Sequence, residues 1–193
     1  RAAVNQPGPC QACGAGLATG PMKSIAVIVL ALLAASAAWA GPAEDSIAKG
    51  REALAARDVV KAMAAFTAAL EADPRNIQAA YERGRILLVI GEPRKAVADF
   101  TTAIIGDPDF GRAYVGRAEA KLTLKNVESA ISDFDEAVRV APEDFEVHVA
   151  RATFRIRIGN LKGAREDLTN AKAVADEATA RKIGEMLDKL GAP

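Results

Sequence analysis

Lys61-Ala-Met-Ala-Ala-Phe-Thr-Ala-Ala-Leu-Glu-Ala-Asp-Pro74 decides the fold, because the chain repeats this pattern at a fixed distance, at residues 95–108 and 129–142. Three columns of identical residues are each spaced by 34 positions: Ala62, Ala96 and Ala130; Phe66, Phe100 and Phe134; Pro74, Pro108 and Pro142. A degraded fourth copy follows in phase with Ala164, Leu168 and Ala171. A fixed period of this length indicates stacked repeats.

Each repeat contains two predicted helices. The first helices are expected at 45–57, 77–90, 111–124 and 145–158, and the second at 60–72, 93–105, 127–140 and 161–174. Within the second helices, apolar residues at three-four spacing predict one buried face. Gly91 and Gly159 follow first helices and favour positive φ, and Asn126 is expected to do the same in the third repeat. The repeated prolines end the second helices, because proline cannot continue the hydrogen-bond ladder.

The period and these columns resemble the tetratricopeptide repeat (TPR) family, whose first helices also carry a glycine, here Gly50 and Gly84. The resemblance covers residues 43–190 and implies an all-α fold, an α-solenoid of about four helix-turn-helix repeats. We expect repeats at 43–76, 77–110, 111–144 and 145–176, and a capping helix at 177–190 within a domain at 41–193. Two columns depart from the family pattern. The tryptophan column holds Ser46, Ala80, Tyr114 and His148, and the leucine column holds Lys49, Arg83, Arg117 and Arg151.

The arginine column has a partner column of aspartates, as in an arginine-containing variant of the repeat seen in many bacterial TPR proteins. Its members are Asp99, Asp133 and Asp167, and in the first repeat both columns change together, to Lys49 and Ala65. We predict structural, charge-assisted hydrogen bonds between Arg83, Arg117 and Arg151 and these aspartates, within a repeat or between neighbours. A row of arginines that binds a ligand is the alternative. Phe66, Phe100 and Phe134 are predicted to be core residues.

The end of the array is also visible in the sequence. Arg165 and Lys172 stand in columns that are apolar in the earlier repeats, and a further full repeat would bury both charges. Stacking is therefore expected to stop there. Ala180, Ile183, Leu187 and Leu190 predict one apolar face on the capping helix.

Residues 22–40 have the layout of a secretory signal peptide, with Lys23, an apolar run and Ala38-Trp39-Ala40 as a cleavage site. The run is shorter than the roughly 20 residues of a membrane span. We expect an exported, periplasmic protein that begins near Gly41 after cleavage, with residues 1–21, including Cys10 and Cys13, as an unfolded upstream extension. An uncleaved N-terminal membrane anchor is the alternative.

The sequence offers little for catalysis. Its 25 basic and 25 acidic residues balance, which gives no reason to expect nucleic acid or an anionic membrane as partner. The one histidine, His148, stands in a packing column, so no catalytic constellation can be assembled around it. No cluster of ligands suggests a metal. We therefore expect no enzyme, no cofactor and no metal site.

In the TPR family the first helices line a concave groove, and the resemblance implies two apolar rows and a polar row here. The apolar rows are Ile47, Tyr81, Val115 and Val149, and Leu54, Leu88, Leu122 and Ile156; the polar row is Arg51, Arg85, Glu119 and Thr153. A role of the apolar rows in the core is the alternative. Some TPR domains clamp a C-terminal carboxylate with Lys and Asn, and those residues are absent from the corresponding positions here.

These expectations favour an exported interaction module, a scaffold or adaptor that binds a protein or peptide in its groove. One alternative is a self-associating structural component of an envelope assembly, in which the groove or the last helix forms a homo-oligomer interface. A more remote alternative is an enzyme whose site the sequence does not reveal.

Overall fold

The computed structural model describes residues 41–191, which form nine α-helices and contain no β-strand. The helices are α1 (Pro42–Ala55), α2 (Val59–Ala72), α3 (Ile77–Val89), α4 (Pro93–Gly106), α5 (Gly111–Thr123), α6 (Val127–Val140), α7 (Phe145–Arg157), α8 (Leu161–Val174) and α9 (Glu177–Lys189). The first eight pair into four units, and α9 follows the fourth. The predicted extension and leader, residues 1–40, lie outside the described residues. The predicted all-α solenoid is confirmed.

Neighbouring helices run antiparallel. This is visible in their contacts, which join residues that are equidistant from the intervening turn. Within a unit, Arg83 on α3 pairs with Asp99 on α4 at 2.7 Å. Between units, Arg117 on α5 donates to Thr101 on α4 at 3.3 Å. The turns inside the units therefore lie along one edge of the solenoid, and the turns between units lie along the opposite edge.

The phenylalanine column forms the centre of each helix pair. Phe66 and Phe100 have no solvent exposure, and Phe134 is 2% exposed. Alanines and glycines beside the rings let the helix backbones approach closely. At Gly116, for example, an added Cβ would lie 2.5 Å from the Phe100 ring, closer than carbon atoms can approach.

The turns inside the units each contain one residue with positive φ. These residues occupy a single column: Arg57 (58°), Gly91 (81°), Lys125 (62°) and Gly159 (78°). The prediction of a positive φ is confirmed for Gly91 and Gly159 and wrong for Asn126, whose φ is −93°. Because the 34-residue phase is unbroken, the turn falls on Lys125, and Asn126 takes the position that precedes α6.

Helix α1 differs from its predicted range at both ends. It begins at Pro42, three residues earlier than expected, because proline is well suited to the first turn of a helix. It ends at Ala55, because Arg57 leaves the helical conformation two residues later. The other eight helices lie within one residue of their predicted ends.

Helix α9 closes the array. Ile183 is 2% exposed and packs in a cluster with Leu168 and Ala171 of α8. The side chain of Arg165 donates to the carbonyl of Gly191, and the end of the Lys172 side chain lies over Gly184. Lys172 thus contacts the last helix, and Arg165 contacts Gly191, two residues beyond its end. None of the helices in residues 41–191 is long and apolar enough to cross a membrane.

Candidate partner-binding groove

Six of the twelve predicted groove residues line two adjoining cavities: Leu54, Tyr81, Arg85, Leu88, Val115 and Glu119. The other six, Ile47, Arg51, Leu122, Val149, Thr153 and Ile156, line neither cavity. A cavity of about 270 Å³ between α1 and α3 is lined by Leu54, Val59, Ile86, Leu88 and Val89, with charged groups at its rim. A second cavity of about 210 Å³ is lined by residues of α3, α5 and α7, among them Tyr81, Val115 and Ala150. Both cavities include Arg85, Leu88 and Glu119, so they form one continuous trough.

Eleven of the twelve predicted groove residues are half-buried or exposed, and Ile47 is not. Ile47 is 8% exposed and lies in a core cluster with Phe66 and Ala69. Ile47 is therefore a core residue and not part of the groove surface. The half-buried members are Leu54, Tyr81, Leu88, Val115, Leu122, Val149 and Ile156, and the exposed ones are Arg51, Arg85, Glu119 and Thr153. Of the apolar rows, Leu54, Tyr81, Leu88 and Val115 present surface to the trough, whereas Leu122, Val149 and Ile156 pack against core clusters.

Tyr81 is the aromatic centre of the trough. Its ring centroid lies 4.7 Å from that of Phe110 and 6.0 Å from that of Phe100. The Arg85 guanidinium carbon lies 5.8 Å from the Tyr81 ring centroid, within the range of a cation–π contact. Burial raises the pKa of the Tyr81 hydroxyl, although the nearby charge of Arg85 opposes the shift. The neutral phenol therefore persists at physiological pH.

Glu119 is the unpaired carboxylate of the trough. No salt bridge within 4.0 Å joins it to another residue in the described range 41–191, although Arg157 and Arg85 lie close enough to attract it. The protein around it raises its pKa by removing solvent, and the two arginines partly oppose this effect. Glu119 is nevertheless exposed, so water still reaches this residue.

Arg85, by contrast, has a partner on its own helix. Its guanidinium lies 3.1 Å from Glu82, one turn away, while the Arg85 side chain remains 59% exposed. Glu82 also accepts a 3.0 Å hydrogen bond from the Gln78 side chain. Glu82 was not among the predicted groove residues, although its position one turn before Arg85 could have indicated the pairing.

An ion-pair network joins the third and fourth units beside the second cavity, which Arg112 and Glu146 help to line. Arg112 at the start of α5 lies 2.6 Å from Asp144 and 3.1 Å from Glu146. These contacts connect one unit to the next across the turn between units. Hydrogen bonding to Asp144 raises the pKa of the Arg112 guanidinium, which is consistent with a persistent pair.

The predicted arginine and aspartate columns meet inside the units, away from the trough. Each pair spans sixteen residues, with contacts of 2.7 Å for Arg83–Asp99, 2.8 Å for Arg117–Asp133 and 2.6 Å for Arg151–Asp167. The three aspartates are 6%, 5% and 1% exposed. Two aspartates have a second cation that the sequence reasoning missed, Lys121 on Asp133 at 2.6 Å and Arg155 on Asp167 at 2.9 Å. These positions are occupied by internal ion pairs.

His148 also has internal contacts. It is buried, and its Nε2 donates to the Pro142 carbonyl at 2.8 Å, while Nδ1 has no hydrogen-bond partner among residues 41–191. The ring packs where the fourth unit meets the third. Within the described residues, no group of three or more His, Cys, Asp or Glu side chains is arranged to hold a metal ion.

Gly116 is the groove residue that sequence reasoning missed most clearly. It lines the second cavity together with Phe100, and the absence of a side chain there leaves the cavity open down to the ring. Its column otherwise holds Ala48, Glu82 and Ala150. A single glycine in a column of residues with side chains was the available signal.

Comparison with known proteins agrees with this architecture. The tetratricopeptide repeat family model matches residues 47–109, 81–145 and 117–178. No curated protein sequence matches the chain.

Among solved structures, a thermophilic TPR protein of Thermus thermophilus, TTC0263, is 23% identical with a TM-score of 0.66, and the match covers 77% of this chain and 80% of that one. MamA of Desulfovibrio magneticus RS-1 is 23% identical with a TM-score of 0.59, and the match covers 68% and 75%. The TPR2B domain of yeast Sti1, in a complex with pHsp70, is 25% identical with a TM-score of 0.52, and the match covers 69% and 98%.

The three family matches overlap in successive units, and the units themselves are antiparallel helix pairs with a period of 34 residues. On this evidence the chain belongs to the tetratricopeptide repeat family.

Proposed function

We propose that the chain is a non-catalytic interaction module that binds a segment of another protein in the trough along its first helices. The observation that carries this proposal is the continuous apolar trough, which contains Tyr81, Leu88 and Val115 and also the Glu119 carboxylate. Glu119 is exposed and has no salt bridge within residues 41–191, so a cationic or N–H group of a ligand can pair with it. The TPR2B domain of Sti1, which has a similar fold, forms a complex with pHsp70.

The trough indicates the chemistry of the segment. The cavity beside Tyr81, Leu88 and Val115 has a volume of about 210 Å³, which accommodates an aliphatic side chain. Glu119 at the same cavity is placed to accept from a lysine, an arginine or a backbone N–H of the ligand. We therefore expect a peptide with an aliphatic residue next to a basic one. The module would act as a scaffold or adaptor.

The test is selection of peptides on the immobilised full chain, followed by affinity measurement with a double variant. Tyr81→Ala with Leu88→Glu removes the aromatic wall and places a charge in the apolar row. We expect selected peptides to lose affinity by on the order of tenfold or more, because such anchors dominate interface energies. Ile105→Glu is the matched control, since Ile105 is 77% exposed on α4, a second helix outside the trough.

Circular dichroism would test whether both variants retain their helices. If the folded double variant binds the selected peptides as well as the wild type does, the trough is not the binding site. If Ile105→Glu weakens binding equally, the site lies elsewhere on the solenoid.

We further propose that residues 22–40 direct export to the periplasm and are then removed. The support is the basic start, the apolar run and the small-residue site ending at Ala40. Mass spectrometry of the protein purified from fractionated native cells would define its N-terminus. A periplasmic form beginning near Gly41 is expected. Recovery with residues 22–40 still attached would contradict cleavage, and its presence in the membrane fraction would favour the anchor.

A further inference from the structure

The two edges of the solenoid carry opposite charge. The four turns inside the units, residues 55–61, 89–95, 123–129 and 157–163, form what we call the hairpin edge, and they hold seven basic and three acidic residues. The four turns between units and after the last unit, residues 72–78, 106–112, 140–146 and 174–180, hold two basic and eight acidic residues; we call them the acidic edge. The formal charges are thus +4 and −6 over equal lengths of chain. The overall balance of charges conceals this separation.

The hairpin edge is also the most apolar exposed surface of the described residues. Ten large hydrophobic side chains are exposed in residues 41–191, and eight of them lie on this edge, two in each turn. The most exposed of the eight on this edge are Val60 (81%), Val89 (80%), Ile158 (54%) and Ile90 (53%). None of the ten lies in the four turns of the acidic edge.

From this arrangement we propose that the hairpin edge docks on the surface of a lipid bilayer that contains anionic lipids. Basic residues near a membrane surface are attracted to anionic headgroups, and aliphatic side chains beside them insert at the boundary between headgroups and acyl chains. The four turns provide both features along a single line. The acidic edge on the opposite side would be repelled by the same lipids, so the charge separation also fixes the orientation.

A bilayer fits this edge better than a second copy of the chain does. The acidic edge of another copy offers opposite charge but no exposed large aliphatic residue to meet Val60, Val89 or Ile158. Protein interfaces also tend to exclude lysine and glutamate from their centre, whereas every turn here places a charge beside its aliphatic residues. Headgroups tolerate this mixture, because the charges remain in water while the aliphatic tips are buried.

The test compares binding of the full chain to phosphatidylcholine vesicles with and without phosphatidylglycerol. The measured quantity is the affinity ratio between the two vesicle types, which removes any binding by residues 22–40 that does not depend on lipid charge. The variant Arg94→Glu with Lys125→Glu and Lys162→Glu reverses three exposed charges on the hairpin edge. We expect the preference for anionic vesicles to fall by on the order of tenfold or more, and wild-type binding to weaken at high salt.

The matched control reverses three exposed charges in or near the acidic edge, Arg75→Glu with Arg181→Glu and Lys182→Glu. It has the same net charge as the first variant and should retain most of the preference. A second variant, Val60→Ser with Ile158→Ser, removes two exposed aliphatic side chains that do not line the trough and should weaken binding to anionic vesicles, while Ile105→Ser with Ile131→Ser should not.

The proposal is wrong if the wild type shows no preference for anionic vesicles, or if both triple variants lose it equally. Light scattering without vesicles provides the other decisive result. If the wild type forms oligomers that the hairpin-edge variant cannot form, this edge is a self-association surface, and membrane docking is overturned. Because none of these substitutions changes a residue that lines the trough, loss of vesicle binding leaves the proposed peptide site intact.

Discussion

At the scale of single residues, one arginine in a unit can join three helices. Arg151 on α7 bonds to Asp167 on α8 at 2.6 Å and to Asp135 on the preceding second helix, α6, at 2.8 Å. In the first unit the arginine position holds Lys49, which is exposed, and the aspartate position holds Ala65.

Asp133→Ala is expected to destabilise the domain strongly. Asp133 is 5% exposed and accepts from Arg117 and Lys121, so its removal leaves two partly buried cations without their partner. Breaking a buried pair from one side costs about 3–5 kcal/mol. Urea denaturation monitored by circular dichroism would show the midpoint shift. A midpoint equal to that of the wild type would contradict a structural role for the pair.

Asp135 provides the matched control two residues further along α6. It also pairs with Arg151, but its side chain is 55% exposed, so solvent screens the interaction. Asp135→Ala is therefore expected to cost less than about 1 kcal/mol. The comparison separates burial of the carboxylate from the mere presence of an ion pair.

Glu119→Gln is expected to stabilise the free protein at neutral pH. The groove raises the pKa of Glu119 above its ordinary value of 4.5, so the folded state holds this proton more tightly than the unfolded chain does. The group opposes folding once it is ionised and has no effect where both states are protonated. The variant should therefore melt at a higher temperature than the wild type at pH 7, and the difference should vanish in acid. The same variant should bind basic peptides more weakly.

An equal melting temperature at pH 7, or a lower one, would show that Glu119 is stabilised by the arginines near it. In that case the carboxylate would be satisfied within the protein, and the argument for a ligand donor would fail. Arg85 and Arg157 are therefore the residues to substitute next in that event, because they are the cations that lower its pKa.

At the scale of elements, the turn inside the third unit is strained and its counterpart in the fourth is not. Lys125 has φ of 62°, a conformation that costs a residue with a side chain about 1 kcal/mol, whereas Gly159 adopts φ of 78° freely. Lys125→Gly is expected to raise the free energy of unfolding by about 0.5–1 kcal/mol, and Gly159→Ala is expected to lower it by about 1 kcal/mol or more.

Both turn variants are measured by the denaturation midpoint. No atom lies within 4 Å of a Cβ added at Gly159, so the loss in Gly159→Ala would come from the backbone alone. If Gly159→Ala has no effect, the turn tolerates a side chain at positive φ, and the stabilisation expected at Lys125 should be absent as well.

The elements show which features a sequence of this kind reveals. Most helix ends, the phenylalanine core and the two turn glycines could be predicted, because the 34-residue period aligns four copies and each copy checks the others. Gly116 and Lys121 could not, since each residue type occurs once in its column. Gly116 lies against Phe100 of the preceding unit, and Lys121 is the second cation beside Asp133. Ile47 could not be placed either. Its column is half-buried elsewhere, and only the packing of the first unit determines its burial.

At the scale of the whole molecule, repeat stacking separates surfaces that the linear sequence interleaves. Every 34 residues the chain passes once through the trough, once along the hairpin edge and once along the acidic edge. Small biases in each unit therefore add along a line. This is why a chain with no net charge presents edges of +4 and −6, and why the groove and the hairpin edge can be altered by substitutions that share no residue.

Because the units are stacked in one dimension, α9 is the element that covers the exposed face of the fourth unit. Removing residues 177–193 would uncover Leu168 and Ala171, which are fully buried beneath Ile183. In a repeat array each unit is stabilised mainly by its neighbours, so the loss of stability should be confined to the fourth unit.

Hydrogen exchange is expected to show lost protection in α7 and α8 while α1 to α4 remain protected. Ile183→Ala, which leaves a cavity costing about 2–5 kcal/mol, should give the same pattern more weakly. Uniform loss across all four units would mean that the domain unfolds as one cooperative block, and unchanged protection in α8 would mean that α9 does not cap the array.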